Sequence, residues 1–331
     1  RDTLSQEFRI LSSPQGRILG GRADWLLGVY AQSLDETNNI HSAGVFDDSV
    51  DAPFSYCTPC VDSTRLLSAY DSANTSVFGK LDIEVNSDLS VSAGLRFERW
   101  SADYSDVFTD VIYGDPQHPV EHGFYPDETL WGGELSAAYR LSDGNSIYGL
   151  VSRGYKAGGF NPSLARALGS GSPQGPASIA FEPESLLNFE AGIKGSWFDD
   201  RLSGEFSLFY MDRKDMQLRS SAQFTDNPND FVFITSNAGG HSQGVEASID
   251  WQVSDAWRLH TSLGLLDSSV DRYSLEREID IPGELTGRVF AHAPDYTLNL
   301  GVSHTRAAVD GGHWVVGLDL NAAGGYFFDY S

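Results

Sequence analysis

The sequence predicts an all-β fold: an antiparallel transmembrane β-barrel fragment of about twelve long strands, an open curved sheet with short periplasmic turns and long extracellular loops. Three observations predict it. Apolar and polar residues alternate with a period of two over segments of more than about ten residues, twice the usual soluble strand. The connections alternate between a few residues and, mostly, about 20 or more. Trp and Tyr gather near both ends of the segments, as in girdles at two membrane interfaces.

The stretch from Leu186 to Leu218 shows the pattern best. Phe189, Ala191, Ile193, Gly195 and Trp197 share one face, and Glu190, Gly192, Lys194 and Ser196 the other. After Asp199-Asp200, Leu202, Gly204, Phe206, Leu208 and Tyr210 alternate with Ser203, Glu205, Ser207 and Phe209. This is a hairpin with one apolar arm face for lipid and one polar face for a lumen. Phase therefore places Glu190, Lys194, Glu205 and Glu246 inside, and Phe189, Ile193, Leu202, Phe206 and Leu208 outside.

The other elements follow in order. Thr3 to Ser13 and Arg22 to Leu34 are the first two strands, followed by a polar loop from Asp35 to about Ala73. Asn74 to Val85 and Leu89 to Trp100 flank the turn Asn86-Ser87-Asp88, and a loop then runs to about Thr129. Leu130 to Leu141 and Ser146 to Lys156 form a hairpin, followed by a Gly, Pro and Ser-rich loop to about Ser185. Phe231 to Val253 and Trp257 to Asp267 flank Ser254-Asp255-Ala256. Pro294 to Thr305 and His313 to Phe328 make the last hairpin, around Asp310-Gly311-Gly312. Trp197, Trp251, Trp257 and Trp314 stand near short turns; Trp100, Trp131, Tyr155 and Tyr210 stand near long loops, as two girdles.

Composition agrees. Of 331 residues 40% are hydrophobic, yet no run approaches a membrane-spanning helix, so any crossing is made by strands. The 34 glycines and 12% aromatics suit tight turns and strands. A net charge of −24 excludes nucleic acid as a partner, because phosphate binding needs clustered Lys and Arg. Cys57 and Cys60 are read as a short disulfide pinning an exposed loop, with a redox pair or a zinc site as alternatives that lack supporting neighbours.

No metal site, cofactor or enzyme activity is expected. His118 and His122 are four apart, but Pro119 and Gly123 oppose a helix, so both are assigned to a solvated loop. Asn237-Ala238-Gly239-Gly240 precedes no helix signal and reads as a bent or bulged strand. Arg153 shares the lipid face with Ile147, Gly149 and Val151 and should snorkel toward outer-leaflet headgroups. The ligand-contact candidates are aromatic residues on loops and at the rim: Phe54, Tyr56, Tyr113, Phe124, Tyr125 and Phe160, with Tyr155 and Lys156 between Gly154 and Gly158. The same aromatics could instead pack loops together, and Tyr155 and Lys156 could simply mark where a strand leaves the membrane.

Several segments resemble TonB-dependent receptors of the outer membrane. They are VSRGYKAGGFN (Val151 to Asn161), FEPESLLNFEAGIKGSWFDDRLSGEFSLFYMDRKDMQL (Phe181 to Leu218), SNAGGHSQGVEASIDWQV (Ser236 to Val253) and APDYTLNLGVSH (Ala293 to His304). The resemblance runs in order over nearly the whole chain. It implies that residues 1–331 are a partial barrel domain, roughly the eighth to nineteenth strands of about 22. The N-terminal plug, the segment that contacts TonB and the closing strands then belong to a longer protein. It also implies a Gram-negative cell outer membrane location, contact with outer-membrane lipid and lipopolysaccharide, coupling to the TonB complex, and active uptake of a scarce bulky solute such as a ferric siderophore. A passive porin, an adhesin and a soluble β-sandwich binding module are the alternatives. The edge strands holding Phe8 and Leu318 should stay unpaired with each other, because an arc of a wide barrel keeps its curvature.

Overall fold

Polar turns start the fold by satisfying backbone groups that no ladder reaches. Asn86 Oδ1 accepts from the backbone N–H of Asp88 and of Leu89, each at 2.8 Å. Ser254 Oγ does the same for Ala256 at 3.3 Å and Trp257 at 3.2 Å. Each such turn sends the chain back beside itself, so the strands form a meander.

The structure is a computed structural model and describes residues 1–46, 60–112, 115–116, 118–142, 144–162, 179–223, 231–273 and 286–328. Along the chain come β1 (Asp2–Leu11), β2 (Ala23–Phe46), β3 (Cys60–Glu84), β4 (Leu89–Ile112), β5 (Asp115–Pro116) and β6 (Val120–Phe124). Then follow β7 (Asp127–Ser142), β8 (Asn145–Lys156), β9 (Gly159–Phe160), β10 (Ala180–Phe181) and β11 (Glu184–Trp197). The series ends with β12 (Leu202–Gln223), β13 (Phe231–Gln252), β14 (Trp257–Tyr273), β15 (Tyr296–Ala307) and β16 (His313–Ala323).

One sheet runs β1-β2-β3-β4-β7-β8-β11-β12-β13-β14-β15-β16, and these are the twelve long strands the periodicity predicts. Neighbours are antiparallel throughout, and β5 and β6 extend the far edge of β4 beyond β7. Among the described residues β1 pairs only with β2 and β16 only with β15, so the sheet is open.

Register fixes the faces. Ile193 lies opposite Phe206 and Ile147, and Phe189 opposite Tyr210 and Val151. Phe189, Phe206, Leu208, Val151 and Leu135 are exposed, and among the described residues no second sheet covers them. That excludes a sandwich and leaves an apolar outer wall. On the inner face Lys194 Nζ stands 3.6 Å from Glu205 and over the Tyr148 ring at 5.3 Å. Tyr148 donates to Glu190 at 2.6 Å. The charges named above thus sit together on the polar side, as alternation requires.

Four expectations need correction. Residues 35–46 and 60–73 are not loop: they continue β2 and β3 to strands of 24 and 25 residues. Likewise β4 runs on to Ile112. In these extensions the outward side chains are mostly polar and the buried inward ones mix apolar and polar types such as Leu66, Ser68, Tyr104, Asp106 and Phe108, so the apolar-polar alternation fades while the hydrogen-bond ladder persists. Second, Trp100 leaves the predicted outer girdle: it is only 3% exposed and packs on the inner side with Ala102 and Leu130. Tyr155 also turns inward, bonding Arg96 and Glu98. Trp131 and Tyr210 stay exposed, and the turn-side Trp residues do as well. Third, the loop before β11 contains β9 and β10. Fourth, His122 lies on β6 and is buried against Asp106, whereas His118 is exposed. The predicted irregularity near Gly239-Gly240 is present as a register shift between β13 and β14.

Candidate functional site: the outer mouth and its strap

The chain after β8 does not stay outside. Residues 157–162 and 179–183, here called the strap, fold over the inner face of the sheet at the long-loop end. Close approach explains two glycines: a Cβ at Gly158 would stand 2.6 Å from the Phe181 carbonyl oxygen, and one at Gly159 would stand 2.5 Å from the Phe181 ring.

Side-chain amides hold the strap like strand partners. Asn237 accepts from Glu182 N–H at 2.7 Å and donates to the Glu182 and Asp215 carbonyls at 3.0 and 2.7 Å. Asn161 pairs the same way with Thr235, donating at 2.7 Å and accepting at 2.8 Å. Gln217 donates to the Ala157 carbonyl at 2.7 Å. Arg213 and the Gln217 N–H both hold Glu184, whose side chain is buried.

The strap carries Phe160 and Ile179 into the mouth. Phe160 stacks on Tyr104 with centroids 4.6 Å apart and meets Tyr70 at 5.7 Å and Phe124 at 6.0 Å. Ile179 is fully buried with Tyr104 of β4 and Ile234 of β13. The strap therefore ties together strands that lie far apart in the sheet order. Under this cluster Tyr104 donates to Asp106 at 2.8 Å, and His122 Nδ1 stands 2.8 Å from the same carboxylate. Burial first, and then Asp106, push the Tyr104 phenol far above its ordinary value.

Beside the strap Arg96 bonds Glu98 at 2.7 Å and the Tyr155 hydroxyl at 3.0 Å, and that hydroxyl donates to Glu98 at 2.9 Å. The Arg96 guanidinium lies over Tyr30 at 5.4 Å and Phe78 at 5.6 Å. Burial raises the Glu128 carboxyl above its ordinary value, and the Glu182 charge adds to the rise. On the outer side of the rim Arg99 bonds Asp127 at 2.9 Å and holds that carboxyl below its ordinary value.

The candidate residues divide accordingly. Phe124 and Phe160 meet in one aromatic cluster, half-buried, and Tyr155 joins the neighbouring polar network. Tyr125 is 71% exposed, and Lys156 is exposed too. Phe54, Tyr56, Tyr113 and Cys57 lie outside the described residues, and only the backbone of Cys60 is described, so the disulfide falls there too. Sequence reasoning missed Tyr70, Tyr104 and the amide clamps. Their signal is faint: an aromatic or Asn inside a polar tract that is strand rather than loop.

Residues 4–331 match the family described as TonB dependent receptor-like, beta-barrel. The chain is 26% identical over 255 residues to the pesticin receptor of Yersinia enterocolitica serotype O:8, covering 76% of this chain and 32% of that relative. It is 19% identical to a probable TonB-dependent siderophore receptor, PiuA, of Acinetobacter baumannii, covering 72% and 31%. Among solved structures, the ferric yersiniabactin uptake receptor FyuA from Yersinia pestis superposes with a TM-score of 0.67 at 21% identity, covering 99% of this chain and 43% of that one. The chain thus spans about a third of the length of the curated relatives it matches. An open sheet with an apolar outer wall, a charged inner wall and a family match over nearly every residue make this chain a member of the TonB-dependent receptor family, in its β-barrel domain, and place it in the Gram-negative outer membrane.

Proposed function

We propose that this chain is the middle of the barrel of an outer-membrane receptor that takes up a scarce bulky solute, a ferric siderophore-type complex, energised through TonB. The observation that carries the proposal is the mouth: strands run past the bilayer, and a clamped strap builds an inner vestibule of aromatic and charged side chains at the outer end. Such a surface suits a ligand too large and too rare for passive diffusion. The names of the relatives, pesticin receptor and siderophore receptor, support the same ligand class.

In this proposal the exposed Tyr125 and Lys156 meet ligand directly, with Phe54, Tyr56 and Tyr113 contributing from the loops. Phe124, Phe160 and Tyr155 shape the floor beneath. The residues 1–331 act with an N-terminal plug that closes the passage and contacts the TonB complex. Outer-membrane lipid and lipopolysaccharide surround the apolar wall. Catalysis has no part in this role, and neither does a resident cofactor. The test is growth of a strain deleted for the parent gene on a panel of iron complexes, with cobalamin and glycans as comparators. The proposal expects failure on one iron complex; normal growth on all of them would reject it.

A further inference from the structure

A second strap lies on the inner face beside the first. Residues 286–293 follow the edge of β14 and turn inward. Gly287 N–H donates to the Val270 carbonyl at 2.7 Å, and Val270 N–H donates to the Arg288 carbonyl at 2.9 Å. Phe290 N–H then donates to Ser268 Oγ at 3.1 Å. The Phe290 side chain is buried on Met216, Leu218, Ala238 and Val270. Gly240 makes room for it: a Cβ there would stand 2.9 Å from the ring.

Both straps are seated on the same short piece of β12. The register shifts between Arg213 and Met216, where Asp215 takes a φ of 52°, and past that bulge Met216 and Leu218 join the inner face. Those two side chains carry Phe290 of the second strap. Between them, Gln217 holds the first strap, donating from its side chain to the Ala157 and Glu182 carbonyls and from its backbone to Glu184. Asn237 ties the bulge to the first strap through the carbonyls of Asp215 and Glu182. Arg213 spans the two, bonding Glu184 at 2.9 Å while its guanidinium lies over the Phe290 ring at 5.9 Å. The Asn237 to Gly240 stretch of β13 is thus a double seat, Asn237 for one strap and Ala238 with Gly240 for the other. Lifting Phe290 uncovers Met216 and Leu218 and takes the ring from Arg213. Lifting Glu182 removes a partner of the Asn237 amide that also holds the bulge.

We propose that the two straps form one cooperative unit, joined through the Asp215 bulge and Arg213, so that a contact at Phe160 on the β4 side alters the hold on Phe290 on the β14 side. The coupling is built into the chain and does not depend on which solute is taken up. Because coupling between two sites is reciprocal, the effect runs in both directions.

The test is hydrogen exchange on the full-length receptor in detergent, followed in residues 158–161, 180–182 and 287–291. Phe290→Ala removes the second anchor, and Phe290→Leu is the milder variant that keeps an apolar side chain but loses the ring beneath Arg213. Phe160→Leu acts on the first strap, at its stack on Tyr104. Each variant should speed exchange in both straps, the far one by about fivefold, the low end of coupling between sites. Residues 190–194 of β11 should stay as protected as in the parent. Heat-modifiable gel mobility identical to the parent shows that each variant has folded. Faster exchange confined to the strap that carries the substitution would overturn the coupling. Loss of protection along β11 in Phe290→Leu would overturn it as well, because Phe290 would then support the wall rather than the straps.

Discussion

Replacing Asn237 by Leu should release the strap and leave the barrel wall intact. Asn237 is 8% exposed, and its amide makes three hydrogen bonds to backbone groups of Glu182 and Asp215. The Glu182 carbonyl has a second donor in Gln217, at 3.2 Å. On the strap the Glu182 N–H therefore loses this partner, whereas the Asp215 carbonyl belongs to β12. At about 1.5 kcal/mol for a buried group left unmatched, the strap loses about that much. That is on the order of tenfold in its opening constant. Hydrogen exchange on the full-length receptor in detergent reads this directly. The amides of Ala180 to Glu182 should exchange on the order of tenfold faster, while those of Glu190 to Lys194 stay as protected as before. Unchanged protection of the strap would refute the clamp. Loss of protection along β11 as well would show that Asn237 supports the wall rather than the strap.

Three further outcomes follow from local physics. Asp2, Asp35, Asp71 and Asp103 lie directly opposite one another across four adjacent strands, all exposed, so Asp71→Asn should raise the melting midpoint by relieving about 0.5 kcal/mol of like-charge repulsion, less in high salt. Phe198, Asp199 and Asp200 all have positive φ, and Phe198 at +56° is the least suited to it; Phe198→Gly should stabilise the turn by about 1 kcal/mol, read as a higher thermal midpoint by circular dichroism. Glu128 has its folded-state pKa raised above the ordinary 4.5, so the folded mouth holds that proton more tightly than the unfolded chain. Stability from this group is then greatest at low pH and falls as pH rises through the raised value. Strap protection, taken relative to the intrinsic exchange rate at each pH, should fall over that window just above the ordinary carboxylate range, and Glu128→Gln should remove the fall.

The wall was legible in the sequence and the mouth was not, for one physical reason. Phe189 to Trp197 and Leu202 to Tyr210 alternate because one face meets lipid and the other meets polar groups, so a period of two is written into the residues. Above the bilayer that contrast ends. Asp35 to Phe46 and Ser101 to Ile112 keep the same ladder, but the buried inward face of the second mixes Ala102, Tyr104, Asp106 and Phe108 while its outward face is mostly polar, so the composition looks like loop. Trp100 sits at this boundary: its position along the strand fits a girdle, and only the phase set by Phe97 and Trp131 on the outer side turns it inward. His122 was misassigned because its partner, Asp106, lies on a strand extension that periodicity did not reveal. The strap depends on Asn161, Gln217 and Asn237 meeting backbone from distant segments, and no local pattern announces such meetings.

Collision measurements on spin labels placed one at a time from Leu187 to Ser196, in the full-length receptor reconstituted into bilayers, bear most directly on the lipid-facing wall. Lipid-soluble oxygen and a water-soluble nickel complex report the two environments. Labels at Leu187, Phe189, Ala191 and Ile193 should favour oxygen, and those at Asn188, Glu190, Gly192 and Lys194 should not, in strict alternation. A flat profile, or the opposite phase, would contradict the assignment of this chain to an outer-membrane barrel wall.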